Sequence, residues 1–225
     1  MLKNLVAGTA IAAALWALPV MAQETGCAGI SEDGVGIPKQ DMVLTWEDDD
    51  GDTFDETVMV VQEGFVVTLA DYEDFQTYLV FYKHEFLTEF AADRLGVEDV
   101  IFSVEEDGTR KLPAAIIIDL RTRFTDDIAA LDQLWPLEAG KTAAMIPDAA
   151  GDYVRWTVGE ASEQPFPDAD GKTTIMPLLG ASESPGIEPG RWTLNYSTEH
   201  CMVVELWESF GHDAYHERVT GISLP

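Results

Sequence analysis

The histidines and the acidic residues near them are the side chains of this sequence best equipped for chemistry. His212 and His216 are four residues apart, so they share a face in either a helix or a strand, and Glu208, Asp213 and Glu217 are close to them along the chain. Such a group could bind a borderline metal such as zinc or transfer a proton. The stretch lacks a His-Glu-x-x-His pattern and continues into β-rich sequence, so we favour histidines that lie on the surface or pair with acids.

The cysteines, Cys27 and Cys201, form an isolated pair. His200 precedes Cys201, and a histidine beside a free thiolate is a pattern typical of a nucleophile. The pair has no Cys-x-x-Cys spacing, however, and in an oxidising compartment two isolated cysteines most economically form a disulfide. The sequence therefore predicts a Cys27–Cys201 disulfide, which removes the thiolate that such chemistry needs.

Two further segments resemble known sites without fulfilling their patterns. The acidic run 47–52 resembles a calcium loop, but with Gly51 at its sixth position the first and twelfth positions are Trp46 and Thr57, which supply no carboxylate. We therefore interpret it as a solvated hairpin tip. Ser182 lies among glycines but not in a Gly-x-Ser-x-Gly motif. With neither a P-loop nor a Gly-x-Gly-x-x-Gly pattern, the sequence assigns no catalytic residue, no cofactor and no metal ligand.

The composition excludes several classes of protein. The 225 residues include 41 acidic and 13 basic side chains, which gives a formal net charge of -28. Nucleic acids and anionic membrane surfaces repel such a polyanion, because its approach releases no counterions. With 46% hydrophobic and 10% aromatic residues, the chain is also too apolar to be a disordered acidic tail. We therefore expect a folded acidic domain that does not bind nucleic acid.

The N-terminal residues have the pattern of a secretory signal. Lys3 supplies the positive charge, Leu5–Leu18 is an uncharged apolar run, and small or tolerated residues precede a cleavage site after Ala22. The run is too short for a membrane anchor, which needs about 20 apolar residues. Glu24 stands where a lipid-attachment motif before Cys27 requires leucine or a similar residue. We therefore predict a cleaved signal peptide at 1–22, a single acidic β-rich domain at 23–225, a periplasmic or secreted location, and no stable membrane insertion after cleavage.

Alternating apolar and polar residues separated by tight turns predict a mainly β, antiparallel fold. Met42–Glu47 and Phe54–Val61 flank a turn at Asp50-Gly51 and predict a hairpin. Phe65–Leu69 and Phe75–Tyr82 predict two more strands, and the second is bulky on both faces, as expected for a central strand. Turn signals recur through the last third of the chain. The pattern predicts an antiparallel barrel or sandwich of roughly 8–10 strands with one or two short helices.

Three segments depart from the β pattern. Residues 86–95 place apolar side chains at helical spacing before a glycine, which predicts a short helix. A second helix is predicted from a cap at Thr125 or Asp126 to Leu134, because its apolar residues share one face and acids occupy its first turn. The stretch 180–190 is rich in glycine, serine and proline and predicts a mobile loop or a seam between two halves.

One motif resembles a known group of proteins. The segment from Trp135 to Lys141 reads WPLEAGK, and Trp156–Glu160 reads WTVGE. These stretches resemble a WPL..GK motif and a following strand that recur in exported, β-rich bacterial proteins. The resemblance is confined to these segments, and Gln164–Asp168 stands where that group has small residues. It implies export and a β-rich fold, and because no activity is assigned to the group it implies no catalytic residue.

Aromatic and arginine side chains are the remaining clues to a ligand. The tryptophans could line an apolar cavity or form a sugar-binding platform, but their alternation with polar residues is equally typical of a sandwich core, and core packing is favoured for most of them. Arg121 and Arg123 could meet an anionic ligand or form structural ion pairs. The tryptophans concerned are Trp46, Trp135, Trp156, Trp192 and Trp207.

Three functional hypotheses follow. The leading one is a non-enzymatic exported module that binds a small molecule or a partner protein, because the fold is aromatic and β-rich and catalytic motifs are missing. The second is a secreted hydrolase or metal-dependent enzyme, which requires His212, His216, Asp213 and a remote acid to converge in a pocket. The third is an acidic, cation-binding surface protein.

Overall fold

A computed structural model describes residues 26–91, 102–144, 153–166, 171–183 and 189–225. Within these ranges the chain forms sixteen strands and two helices. The first nine strands are β1 (Cys27–Ile30), β2 (Gly36–Pro38), β3 (Val43–Asp48), β4 (Thr53–Gln62), β5 (Phe65–Asp71), β6 (Gln76–Tyr82), β7 (Glu85–Ala91), β8 (Ser103–Val104) and β9 (Arg110–Lys111). The helices are α1 (Ala114–Arg123) and α2 (Thr125–Leu134). The last seven strands are β10 (Thr142–Ala144), β11 (Tyr153–Val158), β12 (Ser162–Pro165), β13 (Lys172–Glu183), β14 (Gly190–Ser197), β15 (Met202–Phe210) and β16 (Asp213–Ser223). The predicted signal peptide at 1–22 lies outside the described residues.

Twelve strands form one antiparallel sheet. Its order is β10-β11-β13-β14-β15-β16-β3-β4-β5-β6-β7, with β12 also paired to β13. The strands at the two ends, β10 and β7, are not paired with each other, so the sheet is open and the fold is sandwich-like. The mainly β prediction is confirmed, whereas the barrel alternative is wrong. The strand number exceeds the predicted 8–10, because the large sheet alone has twelve strands and the short pairs β1–β2 and β8–β9 lie apart from it.

The predicted hairpin is confirmed. Strands β3 and β4 pair with Trp46 opposite Phe54, and Gly51 adopts a φ of 83° in the turn, a conformation that glycine reaches without strain. The carboxylate of Asp48 accepts hydrogen bonds of 2.9 Å from the backbone N–H groups of Asp50 and Asp52. This carboxylate therefore organises the turn, as expected for a hairpin tip.

The helix predicted at 86–95 is wrong where the structure describes it. Residues up to Ala91 form strand β7, which pairs with β6 and places Phe86 opposite Phe81. A two-residue turn reverses the chain between these strands, and both of its residues, Lys83 and His84, have positive φ angles of 47° and 71°. Short apolar runs fit either period, and here pairing with β6 overrides the helical spacing. Residues 92–95 lie outside the described residues.

The second predicted helix is confirmed, with a different start. Helix α2 spans Thr125–Leu134 and buries Ile128, Leu131 and Leu134. Phe124 is its N-cap position, and no side chain caps it; the hydroxyl of Thr125 instead donates to the carbonyls of Arg121 and Thr122. These carbonyls belong to helix α1, which the sequence did not predict. The helix begins after Pro113 with an uninterrupted apolar run, and such a run shows no helical period.

The large sheet is covered on both faces. Phe65 and Val67 of β5 belong to one buried cluster together with both helices, while Val66 belongs to a second cluster with Leu44 and Trp46. Strand β6 also contributes to both sides and is paired on both edges by β5 and β7, but it is the last strand but one of the sheet, so it is an interior strand and not a central one. Side chains that alternate along these strands therefore contribute to two apolar layers, one on each face, and burial of both layers stabilises the sheet.

The predicted disulfide is confirmed, whereas part of the loop predicted at 180–190 is a strand. Cys27 and Cys201 form the predicted disulfide, with a sequence separation of 174 residues. The sulfur of Cys27 is therefore not free to carry a lipid. Gly180–Glu183, which open the predicted loop 180–190, belong instead to β13, where Gly180 pairs with Trp192. Residues 184–188 lie outside the described residues.

Candidate functional site

The bend of the large sheet encloses a cavity of about 480 Å³. Strands from both ends of the sheet line it, including β11 and β14 on one side and β4 to β7 on the other, and helix α2 contributes Asp127 and Leu131. A volume of this size is within the range of small-molecule sites in proteins. The cavity is therefore the candidate functional site.

Aromatic rings form much of the cavity wall. Trp156 and Trp192 lie on neighbouring parts of the sheet with their ring centroids 6.2 Å apart. Between them is Gly180, where a Cβ atom would lie 2.8 Å from Trp156 and 2.9 Å from Trp192. The glycine thus leaves the space that both indoles occupy. Other rings on the wall are Trp46, Phe54, Tyr72, Phe81 and Phe86.

The charged side chains that the described residues contribute to the wall are all acidic. Three of them, Glu85, Asp127 and Glu208, come from three separate elements, β7, α2 and β15. Burial, together with the charges of Asp127 and Glu208, raises the pKa of Glu85 to about 8. Burial also raises the pKa values of Asp127 and Glu208. A buried carboxyl group without a nearby cation holds its proton more tightly than one in water. The raised pKa values therefore indicate that this part of the wall lacks positive charge.

Glu56 differs from these acids because it is fully partnered. Its carboxylate accepts hydrogen bonds of 2.6 Å from the indole N–H of Trp46 and from the hydroxyl of Thr68. Glu56 is only 3% exposed, and burial raises its pKa despite both bonds. It fixes the position of Trp46 on the cavity wall and is best understood as a structural residue.

His84 lies at the boundary between the cavity and the fold interior. It is 3% exposed, and its ring lies 4.8 Å from that of Tyr196 and 5.6 Å from that of Trp135. Its Nε2 lies 3.3 Å from the carbonyl oxygen of Gly36. Burial lowers the pKa of His84 to about 4, so the ring is neutral at neutral pH.

His212 and His216 lie on the surface or pair with acids, as favoured from the sequence, and the alternative site of His212, His216 and Asp213 does not form around the cavity. His212 is exposed at the turn between β15 and β16, whereas His216 stacks on Trp207 with ring centroids 3.7 Å apart. His216 Nε2 lies 3.0 Å from Glu205 and Nδ1 lies 3.5 Å from Asp49. Because strand residues alternate, Glu205 and His216 lie on the opposite face from Glu208 and Glu217, which line the cavity. Across the described ranges, no group of three or more potential ligands could hold a metal ion.

The five tryptophans of the described residues differ in their surroundings. Trp46, Trp156 and Trp192 line the cavity, although the first two are also buried in the core, and Trp135 packs edge-on against Tyr196. Trp207 is 45% exposed.

Arg121 lies 3.6 Å from Glu63, and Arg123 lies 3.6 Å from Asp119. Both arginines therefore make the structural ion pairs that were one of the two alternatives.

No sequence pattern pointed to the acidic cluster of the cavity. Glu208 was considered only as a neighbour of the histidines and Asp127 only as a first-turn acid of a helix, and Glu85 was not considered. With 41 acids in the chain, no pair of them is informative until the fold brings particular ones together. The one local signal for the site was the set of alternating tryptophans.

A second depression, the Lys83 groove, lies on the other side of the β6–β7 turn. Lys83 is 3% exposed, and its ammonium lies 2.6 Å from the carboxylates of Asp33 and Asp132. The phenol of Tyr82 also donates to Asp132 at 2.7 Å. Burial opposes the charge of Lys83, but the bonds to Asp132 and Asp33 outweigh it and raise the pKa of Lys83. The acids Asp33 and Asp132 of the groove thus share a cation that the chain itself supplies.

Comparisons with known proteins give the following. No protein-family model and no curated protein matches the sequence. Among solved structures, the hypothetical lipoprotein YmcC from Escherichia coli shares 9% identity over 82% of this chain and 85% of that chain, with a TM-score of 0.44. A Bacteroides fragilis protein proposed to be exported, with a YmcC-like fold, shares 9% identity over 83% and 97% of the two chains, with a TM-score of 0.35. A proposed lipoprotein from Parabacteroides distasonis shares 8% identity over 82% and 96%, with a TM-score of 0.33. Likenesses of this size assign neither a family nor a function.

In the described segments, neither α1 nor α2 is long and apolar enough to cross a bilayer.

Proposed function

We propose that this protein is an exported, non-enzymatic binding protein that takes up a small molecule with an apolar, ring-containing body. The observation that carries the proposal is the cavity of about 480 Å³ with aromatic walls, bounded by strands from both ends of the sheet. The signal-peptide pattern of residues 1–22 supports export, and the Cys27–Cys201 disulfide fits an oxidising compartment.

Binding of a neutral hydrophobic dye tests the proposal directly. N-phenyl-1-naphthylamine becomes fluorescent in apolar surroundings, and we expect saturable binding to one site. Leu206→Trp adds an indole to the cavity wall and should weaken this binding at least about tenfold, since it occupies volume that the dye needs. Leu179→Trp is the matched control, because Leu179 is 41% exposed and does not line the cavity.

Two results would overturn the proposal. The first is an absence of saturable dye binding to the folded, oxidised protein. The second is equal loss of binding in the two tryptophan variants, because this would place the dye elsewhere. Circular dichroism of both variants establishes that each has kept the β fold before the affinities are compared.

A second candidate function is hydrolysis with Glu85 as a general acid. The observation that favours it is the pKa of Glu85, which burial and the nearby charges of Asp127 and Glu208 raise to about 8. A carboxyl group that keeps its proton at neutral pH is suited to protonate a leaving group. Chromogenic aryl glycosides and aryl esters test this function. Turnover that Glu85→Gln abolishes would support it, and turnover that is unchanged in that variant would come from another source.

A further inference from the structure

The charges that face the cavity are unbalanced. Its lining includes six carboxyl side chains and no lysine or arginine within the described part of the chain. These acids come from β4, β7, α2, β15 and β16, so the imbalance is not the property of one loop. They are Glu56, Glu85, Glu89, Asp127, Glu208 and Glu217.

The imbalance is specific to this cavity rather than a consequence of the overall charge. On the other side of the same turn, the Lys83 ammonium pairs with both Asp33 and Asp132 at 2.6 Å. On the outer face of the sheet, Arg218 lies 2.8 Å from Glu47. Glu85, Asp127 and Glu208 have no ion pair or side-chain hydrogen bond to any described residue. The fold thus supplies cations to acids elsewhere and leaves these three without one.

His84 adds an independent polar group that points to a hydrogen-bond donor. The carbonyl of Gly36 can only accept, so Nε2 of His84 must carry the proton in their 3.3 Å hydrogen bond. Since the ring is neutral at neutral pH, Nδ1 is an unprotonated acceptor. Nδ1 has no hydrogen-bond partner among the described residues, although the side chain is 97% buried and lines the cavity. A ligand that donates a hydrogen bond would complete it.

We propose that the cavity selects an organic cation, a primary ammonium group carried on an apolar ring-containing body. The inference rests on the proposed function, because it concerns the ligand of the same cavity. Glu85, Asp127 and Glu208 neutralise the ammonium, the His84 imidazole accepts one of its N–H groups, and the indoles of Trp156 and Trp192 contact the apolar body. Aromatic faces also attract a nearby cation.

A set of matched naphthalene compounds separates charge from apolar burial. The compounds are 2-(1-naphthyl)ethylammonium, the neutral 2-(1-naphthyl)ethanol, the anionic 1-naphthylacetate, and the N,N,N-trimethyl form of the ammonium. Their affinities are measured by calorimetry at about 0.15 M ionic strength, where the Debye length is about 8 Å and attraction to distant surface acids is screened.

We expect the primary ammonium to bind at least about tenfold more tightly than the alcohol at about pH 8.5, a difference of about 1.4 kcal/mol. The trimethylated cation should bind more weakly than the primary ammonium, because it cannot donate to His84. Glu85→Gln and Asp127→Asn should each reduce the preference for the ammonium over the alcohol at least about threefold. Glu163→Gln, which removes the same charge from an exposed residue paired with Lys172 at 3.4 Å, should leave the preference unchanged.

The preference should also decline as the pH falls to about 5.5. The acids that face the ligand are the six carboxyl groups of the cavity. The pKa of Glu85 is about 8, so protonation removes its charge within this interval, and burial also raises the pKa values of Asp127, Glu208 and Glu217. Tyr72 and His84 stay neutral over the same interval, because burial raises the pKa of the phenol to about 12 and lowers that of the imidazole to about 4.

The outcomes distinguish the two proposals. Equal or tighter binding of the alcohol would overturn the cation inference and leave the binding function intact. If none of the four compounds binds and the neutral dye also fails, the proposed function itself is wrong. A preference for the ammonium that survives in Glu85→Gln and Asp127→Asn would place the cation outside this cavity and also overturn the inference.

Discussion

The acidic side chains of the Lys83 groove have a cationic partner, whereas the described lining of the cavity contains no lysine or arginine. In the groove, Asp33 and Asp132 share one ammonium at 2.6 Å, and hydrogen bonds from Lys83 and Ser31 hold the pKa of Asp33 below its usual range despite burial. In the cavity, burial raises the pKa values of Glu85 and Glu208, and the charges of Asp127 and Glu208 raise that of Glu85 further. The acids of the groove have a cationic partner within the chain, whereas no described residue gives one to Glu85, Asp127 or Glu208, which is the condition expected of a site that binds a cation.

One short turn separates the two regions. Lys83 lines the groove and His84 lines the cavity, and both residues adopt positive φ angles that non-glycine residues rarely take. Such conformations cost about 1 kcal/mol or more each and persist only where surrounding contacts impose them. The ion pairs of Lys83 and the ring contacts of His84 provide those contacts. The turn therefore positions a structural cation and a ligand-facing imidazole at adjacent residues.

Removal of the disulfide is expected to have the largest effect, and to affect the groove rather than the cavity. Asp33 lies in the turn between β1 and β2, and Cys27 at the start of β1 anchors this hairpin to Cys201. Cys27→Ala with Cys201→Ala opens a closure of 174 residues and should lower the free energy of unfolding by about 3–5 kcal/mol in the chain-entropy model. Urea unfolding measures the change, and a loss below about 1 kcal/mol would contradict it. Naphthalene binding should persist in the folded fraction.

Replacement of Lys83 is expected to have the next largest effect. Lys83→Met removes the shared cation and leaves Asp33 and Asp132 unpaired, so we expect a loss of about 2 kcal/mol of unfolding free energy, moderated by the partial exposure of both acids. Lys111→Met is the matched control, since that lysine is 52% exposed and 3.6 Å from Glu105, and should change stability by less than about 0.5 kcal/mol. Similar losses of unfolding free energy in both variants would show that the ion pairs of Lys83 stabilise the protein no more than an exposed pair does.

Glu85→Gln should raise the free energy of unfolding at high pH, whereas the two changes above lower it. The folded-state pKa of Glu85 is raised, so the folded protein binds its proton more tightly than the unfolded chain does, and stability declines as the pH rises from the unfolded value towards about 8. The variant cannot ionise and should be more stable than the wild type by roughly 1–3 kcal/mol at about pH 9, with no gain at about pH 4. Thermal unfolding across this interval measures the difference, with Glu163→Gln as the control. A destabilised variant at high pH would mean that Glu85 has a cationic partner in the fold.

Asp33→Asn should have the smallest effect. The lowered pKa of Asp33 means that its ion pair stabilises the protein above the pKa of the unfolded state and is lost as the pH falls through the folded value. The side chain is 50% exposed and Asp132 still pairs with Lys83, so the loss at neutral pH should be below about 1 kcal/mol. The difference from the wild type should vanish at low pH. A loss as large as that of Lys83→Met would show that Asp132 cannot hold the ammonium alone.

Local patterns predicted those parts of the fold that depend on neighbours in sequence. The β3–β4 hairpin followed from alternation and an Asp-Gly turn, and helix α2 followed from the apolar face of Ile128, Leu131 and Leu134. The helix predicted at 86–95 is wrong for its described part because neighbours in space, not in sequence, determine the backbone there: strand β6 supplies the pairing partners of Glu85–Ala91. Element type was thus predictable where local and tertiary preferences agree.

The sequence by itself determined a secreted-type leader pattern, a strongly acidic surface, a β-rich domain, and the pairing of its two cysteines, because composition, periodicity and an isolated cysteine pair are properties of the linear chain. Only the tertiary structure decided that the sheet stays open, and which three of the 41 acids, Glu85, Asp127 and Glu208, share a cavity without a cation. The physical reason is that a pKa and a binding preference depend on distances in space, and these three carboxyl groups come from a strand, a helix and a second strand far apart along the chain.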